Sequence, residues 1–85
     1  MSYEVLAASS AVRDIKRLPA EAKRRIAAAI ADLATAPRAK AQKLAAENAY
    51  RVRVGDYRIV FRVDDQVREV LVVRVKHCRD VYRRR

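Results

Sequence analysis

Between Tyr50 and Val63 apolar and basic side chains alternate almost without interruption, the period of two that marks strands covered on a single face. The alternation is interrupted at Gly55-Asp56, a pair suited to a two-residue hairpin turn, and again where Val60 stands between Ile59 and Phe61. That turn sets a register in which Arg53 lies opposite Arg58 and Arg51 opposite Val60. Tyr50, Val52, Val54, Tyr57, Ile59, Phe61 and Val63 then share one face, and Arg51, Arg53, Arg58, Val60 and Arg62 the other. One face is core and the other is basic.

Upstream the period changes. Tyr3-Glu4-Val5-Leu6 reads as a short first strand. Ser9 or Ser10 is placed to cap a helix whose apolar positions Ala11, Val12, Ile15 and Leu18 recur at helical spacing, and Pro19 fits the first position of a second helix. That helix gathers Ala22, Ile26, Ala29, Ile30 and Leu33 on one face, turns Lys23, Arg24 and Arg25 partly away, and ends by Pro37. Residues 38–48 show no clear period. Past the hairpin, Asp64-Asp65-Gln66 leads into a third run, residues 67–75, where Val70-Leu71-Val72-Val73 is continuously apolar, as expected of a central strand covered on both sides. An even-length loop puts Glu69, Leu71, Val73 and Val75 on the arginine face, and a two-residue loop sets Glu69 opposite Arg62, neutralising it. Together these segments read as two helices in tandem, four strands in all and a short basic C-terminal tail.

Composition narrows the partner. A chain of 85 residues supports one core, so residues 1–85 are read as a single domain. Lysine and arginine number 20 against 10 acidic residues, and the net charge of +10 selects nucleic acid, anionic membrane or an acidic protein as partner. No apolar run approaches the roughly 18 residues of a membrane span, and Met1-Ser2-Tyr3-Glu4 lacks the pattern of a signal peptide, so the expected location is cytoplasmic. A lone Cys78 excludes an internal disulfide and a cysteine-rich metal site, and a lone His77 has no carboxylate cluster near it in sequence, so neither metal nor cofactor is implied.

The candidate chemistry lies on the basic face. Like charges directly opposite on a sheet destabilise it by roughly 0.2–1 kcal/mol, so a fold that keeps Arg53 opposite Arg58 points to a polyanion ligand. If Glu69 neutralises Arg62, then Arg51, Arg53 and Arg58 remain as an anion site. The segment from Lys76 to the C-terminus is basic again and resumes from the same end of the sheet, where it can complete the site. His77 is the one side chain whose ordinary titration falls near neutrality, which makes it a reasonable acid or base; its alternative is a structural residue at a strand end. Cys78 reads as a small packing residue.

Taken in order, these segments resemble the RelE/ParE superfamily of bacterial toxins, and within it RelE-type messenger-RNA interferases. The resemblance is carried by the Ala11-Val12-Arg13-Asp14-Ile15-Lys16-Arg17-Leu18-Pro19 helix junction, the Ala36-Pro37-Arg38 break, Lys43-Leu44, the hairpin from Tyr50 to Phe61, and Val75-Lys76-His77 through Asp80-Val81-Tyr82. It implies a compact α+β fold with two N-terminal helices packed on a roughly four-stranded antiparallel sheet, cleavage of messenger RNA in the ribosomal A site, and neutralisation by an acidic, RelB-like antitoxin encoded alongside. RelE-type enzymes place basic residues at positions matching Arg51 and Arg53, an arginine at the position matching Arg58, and a tyrosine at the position matching Tyr82. The implied catalytic set is Arg51, Arg53, Arg58, Tyr82 and His77, with Arg51, Arg53, Arg58, Arg79 and Arg83 on the RNA.

Such a site runs attack of a ribose 2′-hydroxyl on the adjacent phosphate, which needs a base, an acid and cations around the phosphorane-like charge. Arginine forks suit the last role. Tyr82 can stack on a base or donate its hydroxyl, and its alternative is a tail residue folded onto the sheet. Two departures stand out. Some relatives carry lysine where this chain has Arg51 and Arg53, and arginine is never deprotonated, so the general base is unassigned. Cys78 stands where many relatives have an arginine. Two other classes fit the fold: a ParE-like inhibitor of DNA gyrase, which generally lacks the full arginine and tyrosine set, and a catalytically silent RNA-binding module. The antitoxin is expected to wrap the domain as it folds, covering the arginines or displacing residues 80–85.

Overall fold

The computed structural model describes residues 2–77. The chain runs β1 (Glu4–Ala7), α1 (Ser9–Lys16), α2 (Ala20–Leu33), β2 (Gln42–Lys43), β3 (Ala49–Val54), β4 (Tyr57–Asp64) and β5 (Glu69–His77). The strands form one sheet in the order β1-β5-β4-β3-β2. The α+β class and the two N-terminal helices are as the sequence predicts. The sheet, however, has five strands, and β1 runs parallel to β5. The additional strand is β2, inside the stretch that showed no period.

The hairpin register is the predicted one, with Arg53 opposite Arg58, Arg51 opposite Val60 and Val54 opposite Tyr57. Gly55 supplies φ +59° at the first turn position, a conformation that strains any side chain bearing a Cβ. Ile59, Phe61 and Val63 of β4 and Val70, Val72 and Val75 of β5 form the floor of the core, and Ala11, Ile26 and Leu33 of the helices close it from above. Phe61, Ile59 and Ile26 are all at most 1% exposed. Both helices therefore cover the apolar face, and the arginine face is left open.

Two details of β5 depart from expectation. The loop to β5 spans residues 65–68, so Glu69 lies opposite Asp64 and not Arg62. The register then shifts: Phe61 faces Val72, whereas Val60 faces Arg74, and Val73 has no place in the alternation. This bulge turns the second half of the strand over, as a one-residue insertion must. Val75 joins the core, while Arg74 and Lys76 share the face of Val60 and Arg58. β5 is flanked by β1 and β4, but it is covered on one side only, since Leu71 is 37% exposed between the buried Val70 and Val72.

The bulge is held by α1. β1 stops pairing at Ala7, and the helix continues along the edge of β5. The Ser10 hydroxyl donates to the Val73 carbonyl at 2.6 Å, and the Asp14 carboxylate accepts from the Val75 N–H at 2.9 Å and from Arg74 Nε at 2.8 Å. Backbone groups freed by the bulge are thereby satisfied. Burial pushes the Asp14 carboxyl up, but hydrogen bonds from Arg74 and Val75 and the charges of Arg74 and Lys76 outweigh it and hold the group below its ordinary value. Ser10 thus ties helix to sheet, and neither serine caps: the N-cap is Ala8, with no side-chain hydrogen bond. Pro19 likewise sits at the N-cap of α2, one position before the expected one.

Candidate functional site

Arg51 and Arg53 alternate outward from β3, Arg58 stands beside them on β4, and the three line a recess of about 220 Å³ together with Lys40 and Gln42. One water needs only roughly 10–15 Å³ of such space, so a phosphate group fits. Among the described residues no carboxylate lines the recess. The described ion pairs lie elsewhere, joining Arg25 to Glu21, Arg38 to Asp65 and Arg74 to Asp14. The guanidinium charges in the recess are therefore unneutralised among the described residues.

The sheet positions each group. Gln42 lies opposite Arg51 on the neighbouring strand, and its Oε1 accepts from Arg51 Nε at 3.1 Å and Nη2 at 2.9 Å, a fork that fixes the guanidinium plane. Arg53 Nε donates to the Gly55 carbonyl at 3.2 Å, which anchors it to the hairpin turn. Lys40 enters from the loop after α2, held by successive turns in which Ala39 N–H donates to Ala36 and Ala41 N–H to Arg38. Lys76 lies opposite Arg58 on the same face but does not line the recess.

His77 is placed differently. It pairs with Tyr57 across the strands, and the two rings meet edge to face with centroids 5.0 Å apart. Tyr57 packs against the core, so the bulge has carried His77 to the face opposite the arginines. Tyr82, Arg79 and Arg83 lie outside the described residues, as does Cys78. Arg38 and Lys43 also turn from the recess. Arg38 donates to the Tyr50 hydroxyl at 3.0 Å and to Asp65 at 2.6 Å, bonds that raise its pKa further above the ordinary arginine value. Lys43 donates to the Leu44 and Ala46 carbonyls and lies over the Tyr50 ring. These two residues of the sequence motif are structural.

Lys40 and Gln42 went unnoticed in the sequence because a two-residue strand carries no period. A second groove, of about 600 Å³, runs between α2 and β3 and shares Lys40 and Arg53 with the recess. Ala28, Ala29, Leu33, Pro37, Val52 and Val54 make it largely apolar.

Fold and recess define a small basic protein with helices on one face of its sheet and an open arginine cluster on the other. A family model described as the ParE toxin of type II toxin–antitoxin systems matches residues 5–82. Toxin RelG of Mycobacterium tuberculosis is 36% identical over 91 residues, spanning 99% of this chain and all of that one. The chain belongs to the RelE/ParE superfamily of toxins of type II toxin–antitoxin systems. Among solved structures it is similar to the RelBE2 toxin–antitoxin complex of Mycobacterium tuberculosis, with a TM-score of 0.84 at 29% identity over 91% of this chain and 99% of that chain. The archaeal RelE–RelB complex of Pyrococcus horikoshii gives 0.81 at 25% identity, over 91% of this chain and 96% of that one.

Proposed function

We propose that this toxin cleaves messenger RNA on the ribosome, using the recess of Arg51, Arg53 and Arg58 to hold the scissile phosphate, and that an acidic RelB-like antitoxin restrains it in the cytoplasm. The observation that carries this reading is the convergence of three guanidinium groups on one recess with no carboxylate among its described lining residues. Phosphate is the ligand such a cluster suits, because forked N–H donors match its oxygens bidentately. As the 2′-hydroxyl attacks, negative charge grows on the equatorial oxygens, and donors already fixed by Gln42 and the Gly55 carbonyl meet it without rearrangement. Arg79, Arg83 and Tyr82 belong to the proposed site by resemblance. His77 receives no role at the phosphate, because it lies on the other face of the sheet.

An antitoxin partner is supported by the similar RelE–RelB complexes. The apolar groove beside β3, where Arg25, Lys40 and Arg53 outnumber the one carboxylate of Asp32, suits a segment with apolar and acidic side chains. A second reading, inhibition of DNA gyrase, draws on the ParE description of the matching family model. Inducing the protein in bacterial cells and mapping messenger-RNA 5′ ends against gyrase-dependent DNA breaks separates the two, with Arg58→Ala as the control. New 5′ ends that vanish in the control are expected. DNA breaks without new 5′ ends would replace this reading with the second.

A further inference from the structure

The recess holds its charge-stabilising groups but leaves open which group accepts the proton of the 2′-hydroxyl. Arg51, Arg53 and Arg58 stay protonated at any working pH. Gln42 is a neutral amide whose oxygen is taken by Arg51. Of the five described side chains lining the recess, only Lys40 ends in an atom that can gain and lose a proton, since an ammonium, unlike a guanidinium, gives a usable amine base.

We propose that Lys40 is the proton acceptor of the recess, an assignment that rests on the RNA-cleavage reading. The order of elements across the site supports it. Arg58 stands on β4, Arg51 and Arg53 on β3, Gln42 on β2, and Lys40 in the loop that precedes β2. A phosphate seated over β3 has Lys40 on one side and Arg58 on the other. An in-line displacement needs this division, with the attacking oxygen and the leaving oxygen served from opposite sides. Other candidates are placed away from it. Lys43 is engaged on the Tyr50 face, His77 faces Tyr57, and Lys76 lies outside the recess within the field of Asp14. The charged groups around Lys40 are Arg51, Arg53 and Arg58 in the recess, with Arg25 and Asp32 of α2 across the adjoining groove.

In the step, the Lys40 amine takes the proton of the 2′-hydroxyl, O2′ forms a bond to phosphorus, and the phosphorus–O5′ bond breaks. The products are a 2′,3′-cyclic phosphate and an O5′ alkoxide. The alkoxide takes a proton from water, and the resulting hydroxide recovers one from the Lys40 ammonium, so no proton is gained or lost overall.

The test uses RNA supplied both free and in programmed ribosomes, with a 2′-deoxy analogue at the cleaved nucleotide to measure binding. Lys40→Arg keeps the charge and removes the proton acceptor. It is expected to bind the analogue within about twofold of wild type while cleaving on the order of 10²-fold more slowly. Lys40→Ala should regain cleavage when ethylamine is added, and should not respond to methylguanidine. Near-normal cleavage by Lys40→Arg, rescue by both additives, or rescue by neither assigns Lys40 to charge or shape alone and overturns the proposal. If the wild-type protein, although toxic, cleaves neither form of RNA, the RNA-cleavage reading itself fails and this assignment falls with it.

Discussion

Arg58 is the residue on which the RNA reading depends most directly. It is half-buried on an open face and makes no ion pair among the described residues, so its charge contributes little to the fold and is free to act on a ligand. Arg58→Ala is expected to lower RNA cleavage by roughly 10²–10³-fold, the usual loss for one donor to a developing oxyanion. Its unfolding free energy should stay within about 0.5 kcal/mol of wild type, as for other surface substitutions that break no ion pair. Cleavage kinetics and denaturant titration of the same preparation check both. A variant that cleaves normally moves the site elsewhere. His77 gives the complementary test. Because its ring meets Tyr57 on the core side, His77→Gln should leave the pH dependence of cleavage unchanged, and a lost limb in the pH–rate profile would return it to the site.

At the scale of elements, the contact between α1 and the β5 bulge decides which residues join the arginine face. Asp14 is 11% exposed and accepts from the Val75 N–H, whereas its partner Arg74 is 42% exposed and contributes less for being screened. Asp14→Ala leaves the Val75 N–H without its acceptor and is expected to cost about 2 kcal/mol at neutral pH. The carboxyl's folded pKa lies below its ordinary value, so its contribution is complete above about pH 4 and fades as pH falls through the lower folded value. Denaturant unfolding of wild type and variant at neutral pH and near pH 2 should show the gap narrowing in acid. A gap independent of pH would mean that the carboxylate's charge is not what holds the bulge.

For the whole molecule, the net charge of +10 sets how partners approach. On the proposed reading an acidic antitoxin segment would be drawn in over about a Debye length, and the apolar groove of about 600 Å³ would offer it contacts that salt does not screen. The complex should therefore weaken as salt rises from low to near-molar concentration, mainly through slower association, and still persist. Association and dissociation rates by surface plasmon resonance across a salt series check this. An affinity independent of salt would leave the basic recess out of the interface.

The arginine cluster and the hairpin were legible in the sequence because they are local. Alternation of period two across a Gly-Asp turn sets both the faces and the register of Arg51, Arg53 and Arg58 without help from the rest of the chain. The two helices were legible for the same reason, through the spacing of Ile26, Ile30 and Leu33. Nothing local marked β2, which has two residues and exists only by pairing with β3, so Lys40 and Gln42 came to the recess unannounced. Nor did anything local mark the parallel pairing of β1 with β5, which joins residues far apart in the chain. The bulge at Val73 is the sharpest case. It is held from outside the strand, by Ser10 and Asp14 on α1, and by turning over the end of β5 it sends His77 to the core side and Lys76 to the arginine side. The sequence alone determined which charges cluster, because strand period is a backbone property, whereas tertiary structure decided which other residues reach them, because a helix at the sheet edge set the register.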